Sequence, residues 1–173
     1  DAGSLDYASF LGGSFNDLCR GIAVDARGSR YVVGTSESFD FPTTTGSFDP
    51  TLNGNYDAFV VKLIPDGSGL EWGTFLGGGG FGSDEARDLA LLSDGSVAVV
   101  GEAESPNFPV TPDAFDTVFN NHTALFISRL SADGSQLLYS TFVGATTAPV
   151  VNPSLALDAT DAAYVTGATN DSP

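Results

Sequence analysis

The stretch Leu70-Glu71-Trp72-Gly73-Thr74-Phe75-Leu76-Gly77-Gly78 decides the fold, because close variants of it occur twice more along the chain. The earlier variant is Leu5-Asp6-Tyr7-Ala8-Ser9-Phe10-Leu11-Gly12-Gly13, and the later one is Leu137-Leu138-Tyr139-Ser140-Thr141-Phe142-Val143-Gly144-Ala145. Copies at near-equal spacing indicate a repeat protein, in which each repeat is one supersecondary unit. The sequence therefore predicts an array of one repeated unit.

Three further strand-like segments precede each complete copy of this stretch. They span 21–25, 30–34 and 57–63 in the first repeat, 88–92, 96–101 and 124–130 in the second, and 154–158 and 161–167 in the third. Asp-Gly turns at 66–67 and 133–134 supply the glycine with positive φ that a tight hairpin needs. We expect the strands of one repeat to pair in order as a four-stranded antiparallel sheet.

Several of these strands are apolar on consecutive residues, for example Val97-Ala98-Val99-Val100 and Phe59-Val60-Val61. A strand with one wet face would alternate apolar and polar residues, whereas a continuous apolar run indicates that both faces are covered. Small four-stranded sheets that stack on one another, as the blades of a propeller do, meet this condition. The predicted fold class is all-β, an array of four-stranded antiparallel propeller-type blades.

The predicted organisation is a single β-repeat domain over residues 1–173. It consists of a lone fourth strand at 5–13, complete blades at 21–78 and 88–145, and a half blade at 154–169. About two and a half blades form an incomplete propeller, since closed propellers have about four to eight. Either the chain is a fragment of a longer one, or other copies complete its ends.

Five segments together resemble the bacterial and archaeal seven-bladed β-propeller repeat family. They are Phe10-Leu11-Gly12-Gly13, Gly21-Ile22-Ala23-Val24-Asp25, Tyr31-Val32-Val33-Gly34-Thr35, Asp40-Phe41-Pro42-Thr43 and Asp57-Ala58-Phe59-Val60-Val61-Lys62-Leu63. The resemblance implies propeller blades and an extracellular or cell-surface location. It also implies a protein without a known catalytic residue set.

The net charge of the chain limits the classes of partner that it can bind. Six basic residues face 22 acidic ones, for a formal net charge of −16. Nucleic acid is a poor partner, because phosphate binding needs clustered Lys and Arg. We also expect no membrane insertion, because no apolar stretch is long enough to span a bilayer. Such an acidic surface suits divalent cations or basic partners, or simply keeps copies soluble by repulsion.

The residues Asn53, Asn55 and Asp57 place oxygen-bearing side chains at alternate positions, as a calcium loop does at its start. A complete EF-hand loop is excluded, because Ile64 stands at the twelfth position, where a bidentate Glu is required. An irregular calcium site at these three residues is one interpretation. The other is that they form hydrogen bonds within their own turn. We predict no other cofactor.

No catalytic pattern stands out, and we expect a protein that is not an enzyme. The run Gly77–Gly82 fits a dinucleotide-binding pattern, but a strand follows it where that site needs a helix. His122 is the single histidine, which rules out a His-based zinc site and leaves a catalytic triad without support elsewhere in the sequence. Cys19, the single cysteine, is expected to pack as a small apolar residue. Trp72, Tyr7 and Tyr139 hold one equivalent position and are expected to fill space between blades, with stacking on sugars as the alternative if they are exposed.

These observations predict a non-enzymatic extracellular structural or adhesive module. In one form of this hypothesis, copies self-associate head to tail through exposed strand edges and form a filament or a ring. The alternative is a glycan- or protein-binding propeller fragment of a larger secreted surface protein. Such a fragment would hold a polysaccharide or a surface protein on the Pro-containing loops at 36–56 and 102–123.

Overall fold

The computed structural model describes residues 8–119, 123–143 and 150–169, and every regular element within them is a β-strand. The strands are β1 Asp17–Val24, β2 Arg30–Ser36, β3 Asp57–Leu63, β4 Leu70–Leu76, β5 Asp84–Leu91, β6 Val97–Ala103, β7 Ala124–Leu130, β8 Leu137–Val143, β9 Val150–Leu157 and β10 Ala163–Thr169. The prediction of an all-β fold is confirmed.

The strands form two four-stranded sheets and one hairpin. Sheet 1 has the order β1-β2-β3-β4, sheet 2 has the order β5-β6-β7-β8, and β9 pairs with β10. All of these pairs are antiparallel. The first strand pair of each unit carries a register shift at an equivalent place, for example between Cys19 and Gly21 and between Ala86 and Asp88. Such a recurring bulge indicates that the units share one local design.

The main hydrophobic core lies between the two four-stranded sheets. Sheet 1 contributes Tyr31, Val33, Val60, Trp72 and Leu76, and sheet 2 contributes Leu89, Val97, Val99, Phe126 and Leu130. A second cluster, which includes Phe59, Val61 and Phe75, lies on the opposite face of sheet 1. Successive side chains of a strand point to opposite faces. The consecutive apolar residues of β3 are therefore buried on both sides of sheet 1, as the sequence predicts.

Each Pro-containing loop buries a Phe ring against its own sheet at an equivalent position. The Phe41 ring centroid lies 4.4 Å from that of Phe59 and 5.5 Å from that of Phe75. In sheet 2, the centroid of Phe108 lies 4.5 Å from that of Phe126 and 6.0 Å from that of Phe142. Both loop rings are buried. The loops thus complete the packing of each sheet in the same way in both repeats.

The strand boundaries differ from the sequence-based ones at the start of each unit. Strands β1, β5 and β9 begin at Asp17, Asp84 and Val150, earlier than the predicted 21, 88 and 154. These strands begin with polar residues such as Asp17 and Asp84, which the apolar pattern does not assign to a strand. Backbone amides of the preceding loops hold their carboxylates by hydrogen bonds. The predicted lone fourth strand at 5–13 lies partly outside the described residues, and its described part, 8–13, forms no strand.

Cys19 is exposed on β1, so the expectation that it packs as a small apolar residue is wrong. The equivalent residue of β5, Ala86, is fully buried against sheet 1. The difference arises because no described element covers the corresponding face of β1.

Candidate functional site

The three residues of the predicted calcium site lie close together, but their side chains turn to different partners. The Asn53 side-chain amide donates to Asp49 Oδ2, while its backbone N–H donates to Asp57 Oδ2 at 2.7 Å. The Asn55 side chain donates to the carbonyl of Phe81 at 3.2 Å. Asp57 is fully buried, and its Oδ1 atom has no hydrogen-bond partner. The Asn53 and Asn55 side chains thus donate through their amide N–H groups, whereas Asp57 Oδ1 is buried without a partner.

Burial raises the pKa of the Asp57 carboxyl to about 7. The backbone amide of Asn53, which donates to Oδ2, opposes this rise, and the negative charges of Asp84 and Asp49 add to it. A carboxylate placed in a dry site near other carboxylates favours protonation or a bound cation. Asp57 is thus the group of this region whose charge is least compensated by the protein.

Asp84, at the start of β5, is buried beside Asp57 but has a full set of donors. Its Oδ2 accepts from Gly78 N at 2.7 Å, and its Oδ1 accepts from Glu104 N at 3.0 Å and Ser105 N at 3.2 Å. Burial raises the pKa of Asp84, and these donors lower it. Asp84 therefore ties the connection between β4 and β5 to the loop after β6, which is a structural task.

One side of sheet 1, which we call the leading face, is open and apolar at β1. It consists of Cys19, Ile22 and Val24, all exposed. The residue of β5 that is equivalent to Ile22 is Leu89, because Ile22 pairs with Val32 as Leu89 pairs with Val99. Leu89 is 6% exposed against sheet 1, whereas Ile22 is 68% exposed. The leading face thus has the chemistry of a buried surface but lacks a cover.

The far side of sheet 2, which we call the trailing face, is only partly covered. The trailing face includes Ala98, Ile127 and Tyr139, and a cleft of about 380 Å³ opens over it. The β9–β10 hairpin covers the β5 side, where Asp88 Oδ2 accepts from Leu155 N and Ser154 Oγ at 2.9 Å each. Leu157 and Ala163 of the hairpin form one wall of the cleft.

Two equivalent aromatic residues show how this open cleft differs from the covered face of sheet 1. Trp72 of sheet 1 is 3% exposed. It lies against the β7–β8 turn of sheet 2, where its Nε1 donates to the Ala132 carbonyl at 3.0 Å. Tyr139 holds the equivalent position in sheet 2 but lines the open cleft. The expectation that these rings fill space between sheets is met by Trp72. Tyr139 has no such turn above it among the described residues.

Over residues 8–119, 123–143 and 150–169, no three His, Cys, Asp or Glu side chains are grouped in a way that could hold a metal ion. In the same ranges we find no helix with the length and apolar character needed to cross a membrane. Tyr7 and His122 lie outside the described residues. The open apolar leading face, by contrast, has a buried equivalent within the described chain.

Sequence reasoning found Asp57 but missed the leading face. The signal was present in the repeat alignment, because Ile22 aligns with Leu89 and both are large and apolar. What the sequence alone did not show is that one of them is covered and the other is open. No protein-family model matches the chain, and no curated protein matches it either.

Proposed function

We propose that this chain is a non-enzymatic structural module built of propeller-type blades, and that it associates head to tail with further copies of itself. In this proposal the leading face of one copy packs on the trailing side of the next, over its β9–β10 hairpin and the cleft beside that hairpin. The observation that carries the proposal is the exposure of Ile22, whose equivalent Leu89 is buried in a contact between sheets.

The contact between sheets 1 and 2 provides the template for the proposed contact between copies. In that contact, Leu89 of β5 packs near Gly21 and Val33 of sheet 1. Between copies, Ile22 of one chain would take the place of Leu89. On sheet 2 the equivalent place, beside Asp88, is already held by Leu155 of the β9–β10 hairpin, so Ile22 would pack on the outer face of that hairpin in the next copy, next to the open cleft. Two different surfaces meet in such a contact, so it is heterologous and leads to a ring or a filament, depending on the rotation between copies.

An extracellular or cell-surface location is part of the same proposal. It is supported by the resemblance of the repeats to secreted propeller proteins and by the formal charge of −16. A strongly acidic surface keeps individual modules soluble while an apolar face remains available for specific contacts. Adhesion to a basic or cation-bridged surface would use the same acidic exterior.

Light scattering across a concentration series tests the association directly. We expect the mass of the wild-type protein to rise between about 10 μM and about 1 mM, the range in which a contact of modest affinity forms. Ile22→Asp places a charge in the proposed contact and should keep the protein monomeric. Val118→Asp is the matched control, because Val118 is 60% exposed on a loop and lies outside both faces.

The single cysteine provides a second measurement of the same contact. Cys19 lies on the leading face, so its reaction with a maleimide should slow as the protein concentration rises. In Ile22→Asp the rate should stay constant. A wild-type chain that remains monomeric at every concentration, with a constant rate of Cys19 modification, would refute head-to-tail association.

A binding module is the second candidate function, and it rests on exposed aromatic residues of the Pro-containing loops. Phe39 and Phe115 lie on these loops and are 78% and 85% exposed. Exposed rings of this kind can stack on sugars or anchor a protein partner. A glycan-array screen tests this candidate, and specific binding that disappears in Phe39→Ser or Phe115→Ser would favour it.

A further inference from the structure

Three oxygen atoms from separate parts of the chain meet at one point beside Gly54. A Cβ atom placed on Gly54 would lie 2.9 Å from Asp57 Oδ1, 3.0 Å from the Gly78 carbonyl oxygen and 3.1 Å from the Gly82 carbonyl oxygen. Glycine is needed here because the space that a side chain would occupy is bounded by these oxygens. We call this group of three atoms the oxygen cluster.

One oxygen of the cluster, Asp57 Oδ1, has no hydrogen-bond partner. Asp57 is fully buried. A buried polar atom without a partner costs about 1–3 kcal/mol, and more when it is charged. Native proteins seldom leave such a cost uncompensated, so an unpartnered carboxylate oxygen that faces two carbonyls indicates an additional ligand.

We propose that the oxygen cluster of Asp57, Gly78 and Gly82 binds a hard divalent cation, with Ca²⁺ preferred over Mg²⁺. Carboxylate and backbone carbonyl oxygens are the ligands that Ca²⁺ takes, in a flexible geometry that water completes. Mg²⁺ demands a near-ideal octahedron and keeps more of its own water. The nearby Asp84 carboxylate adds negative charge that favours a cation over an anion.

Solvent reaches the loops that carry these atoms through a polar cleft. The cleft has a volume of about 310 Å³, and its walls include Asn53, Gly77 and Gly78. A cation bound at the oxygen cluster would fasten the start of β3 to the connection at 77–83, which leads from sheet 1 into sheet 2. The site would therefore stabilise the junction between the two sheets.

The second repeat lacks this carboxylate, so the fold of a repeat can be distinguished from the proposed binding of a cation. Asp57 pairs with Ser36 at the start of β3, and Ala124 pairs with Ala103 at the same place in β7. Sheet 2 forms with Ala at this position, so a four-stranded sheet does not require Asp here. We therefore expect Asp57→Ala to fold, which makes it a usable test variant.

Calorimetric titration with CaCl₂ in the presence of the full chain tests the proposal. We expect one saturable site in the wild-type protein, with an affinity in the range of about 10⁻⁴–10⁻³ M that extracellular modules show. Asp57→Ala and Asp57→Asn should each weaken this binding at least about tenfold, which corresponds to 1.4 kcal/mol. Asp113→Asn removes the same charge from an exposed loop residue and should bind as the wild type does.

Gly54→Ala provides a variant that keeps the charge of Asp57 but fills the meeting point of the three oxygens. It should also lose Ca²⁺ binding, and circular dichroism should show that its strands persist. The Ile22→Asp variant should bind Ca²⁺ normally, which separates this proposal from head-to-tail association. Wild-type protein without saturable binding, or Asp57 variants that bind Ca²⁺ as tightly as the wild type, would overturn the proposal.

Discussion

Replacement of Trp72 by Ala is the sharpest test of how the two sheets hold each other. The indole is 3% exposed, and its ring meets the Tyr31 ring edge-on at a centroid distance of 6.2 Å. A Cβ atom on Gly134 would lie 2.5 Å from the indole, so the β7–β8 turn is shaped around this ring. Truncation therefore opens a cavity in the contact between sheets and leaves the Ala132 carbonyl without its donor.

The expected loss of stability in Trp72→Ala follows from these contacts. Trp→Ala in a packed core costs about 3–5 kcal/mol in the free energy of unfolding, with the lost hydrogen bond included. Tyr139→Ala removes the equivalent ring of sheet 2, which lines an open cleft and accepts one hydrogen bond from Phe115 N. Tyr139→Ala should lower the free energy of unfolding of the monomer by about 1–2 kcal/mol, since much of that ring is already in contact with water.

Urea unfolding followed by far-UV circular dichroism measures both values, because Trp72 is the single tryptophan and its fluorescence disappears in the variant. The comparison should be made at low protein concentration, where copies are separate. Equal losses for Trp72→Ala and Tyr139→Ala would refute the view that the two equivalent rings differ in their cover. A loss below about 1 kcal/mol for Trp72→Ala would refute the packing argument itself.

Three further predictions concern charge and backbone. Association should strengthen as NaCl rises from about 0.05 to about 0.5 M, because salt screens the repulsion between copies, and scattering that falls with salt would contradict an apolar contact. Hydrogen bonds from Thr160 and Ala162 lower the pKa of Asp158 to about 2. Protonation of Asp158 should therefore destabilise the turn between β9 and β10 as the pH falls from about 4 towards 2. Amide exchange at Thr160 should then accelerate, and Asp158→Asn should lack this pH step. Gly101→Ala would place a Cβ 2.0 Å from the Glu85 carbonyl and should cost about 1–3 kcal/mol in urea unfolding. Gly69→Ala, with nothing within 4 Å, is its control and should change stability by less than about 0.5 kcal/mol.

Much of the fold could be predicted because the repeats specify it redundantly. The apolar runs of β3 and β6 predicted burial on both faces, and the recurrent Asp-Gly turns predicted the hairpins that link β3 to β4 and β7 to β8. Strand beginnings were predicted less well, because Asp17 and Asp84 are held by loop amides that lie outside their own strands. A local pattern does not contain these contacts.

The candidate site was only partly accessible to sequence reasoning, for a similar reason. Asp57 was identified by its spacing from Asn53 and Asn55, which predicts a ligand loop made of neighbouring side chains. In the structure the oxygens nearest to Asp57 Oδ1 include backbone carbonyls of Gly78 and Gly82, which belong to the next connection. Glycine carbonyls carry no signature in a sequence, so only the fold reveals that they converge.

The two proposals describe different contacts and have different chemistry. The contact between copies is apolar, and its strength depends on covering Ile22, so it should strengthen when charge is screened. The cation site lies inside one copy and compensates a carboxylate that the fold buries without a partner. If both hold, Ca²⁺ should raise the thermal stability of the Ile22→Asp monomer as much as that of the wild type, while the association constant of the wild type changes little. A Ca²⁺ effect that requires an intact leading face would instead place the cation between copies.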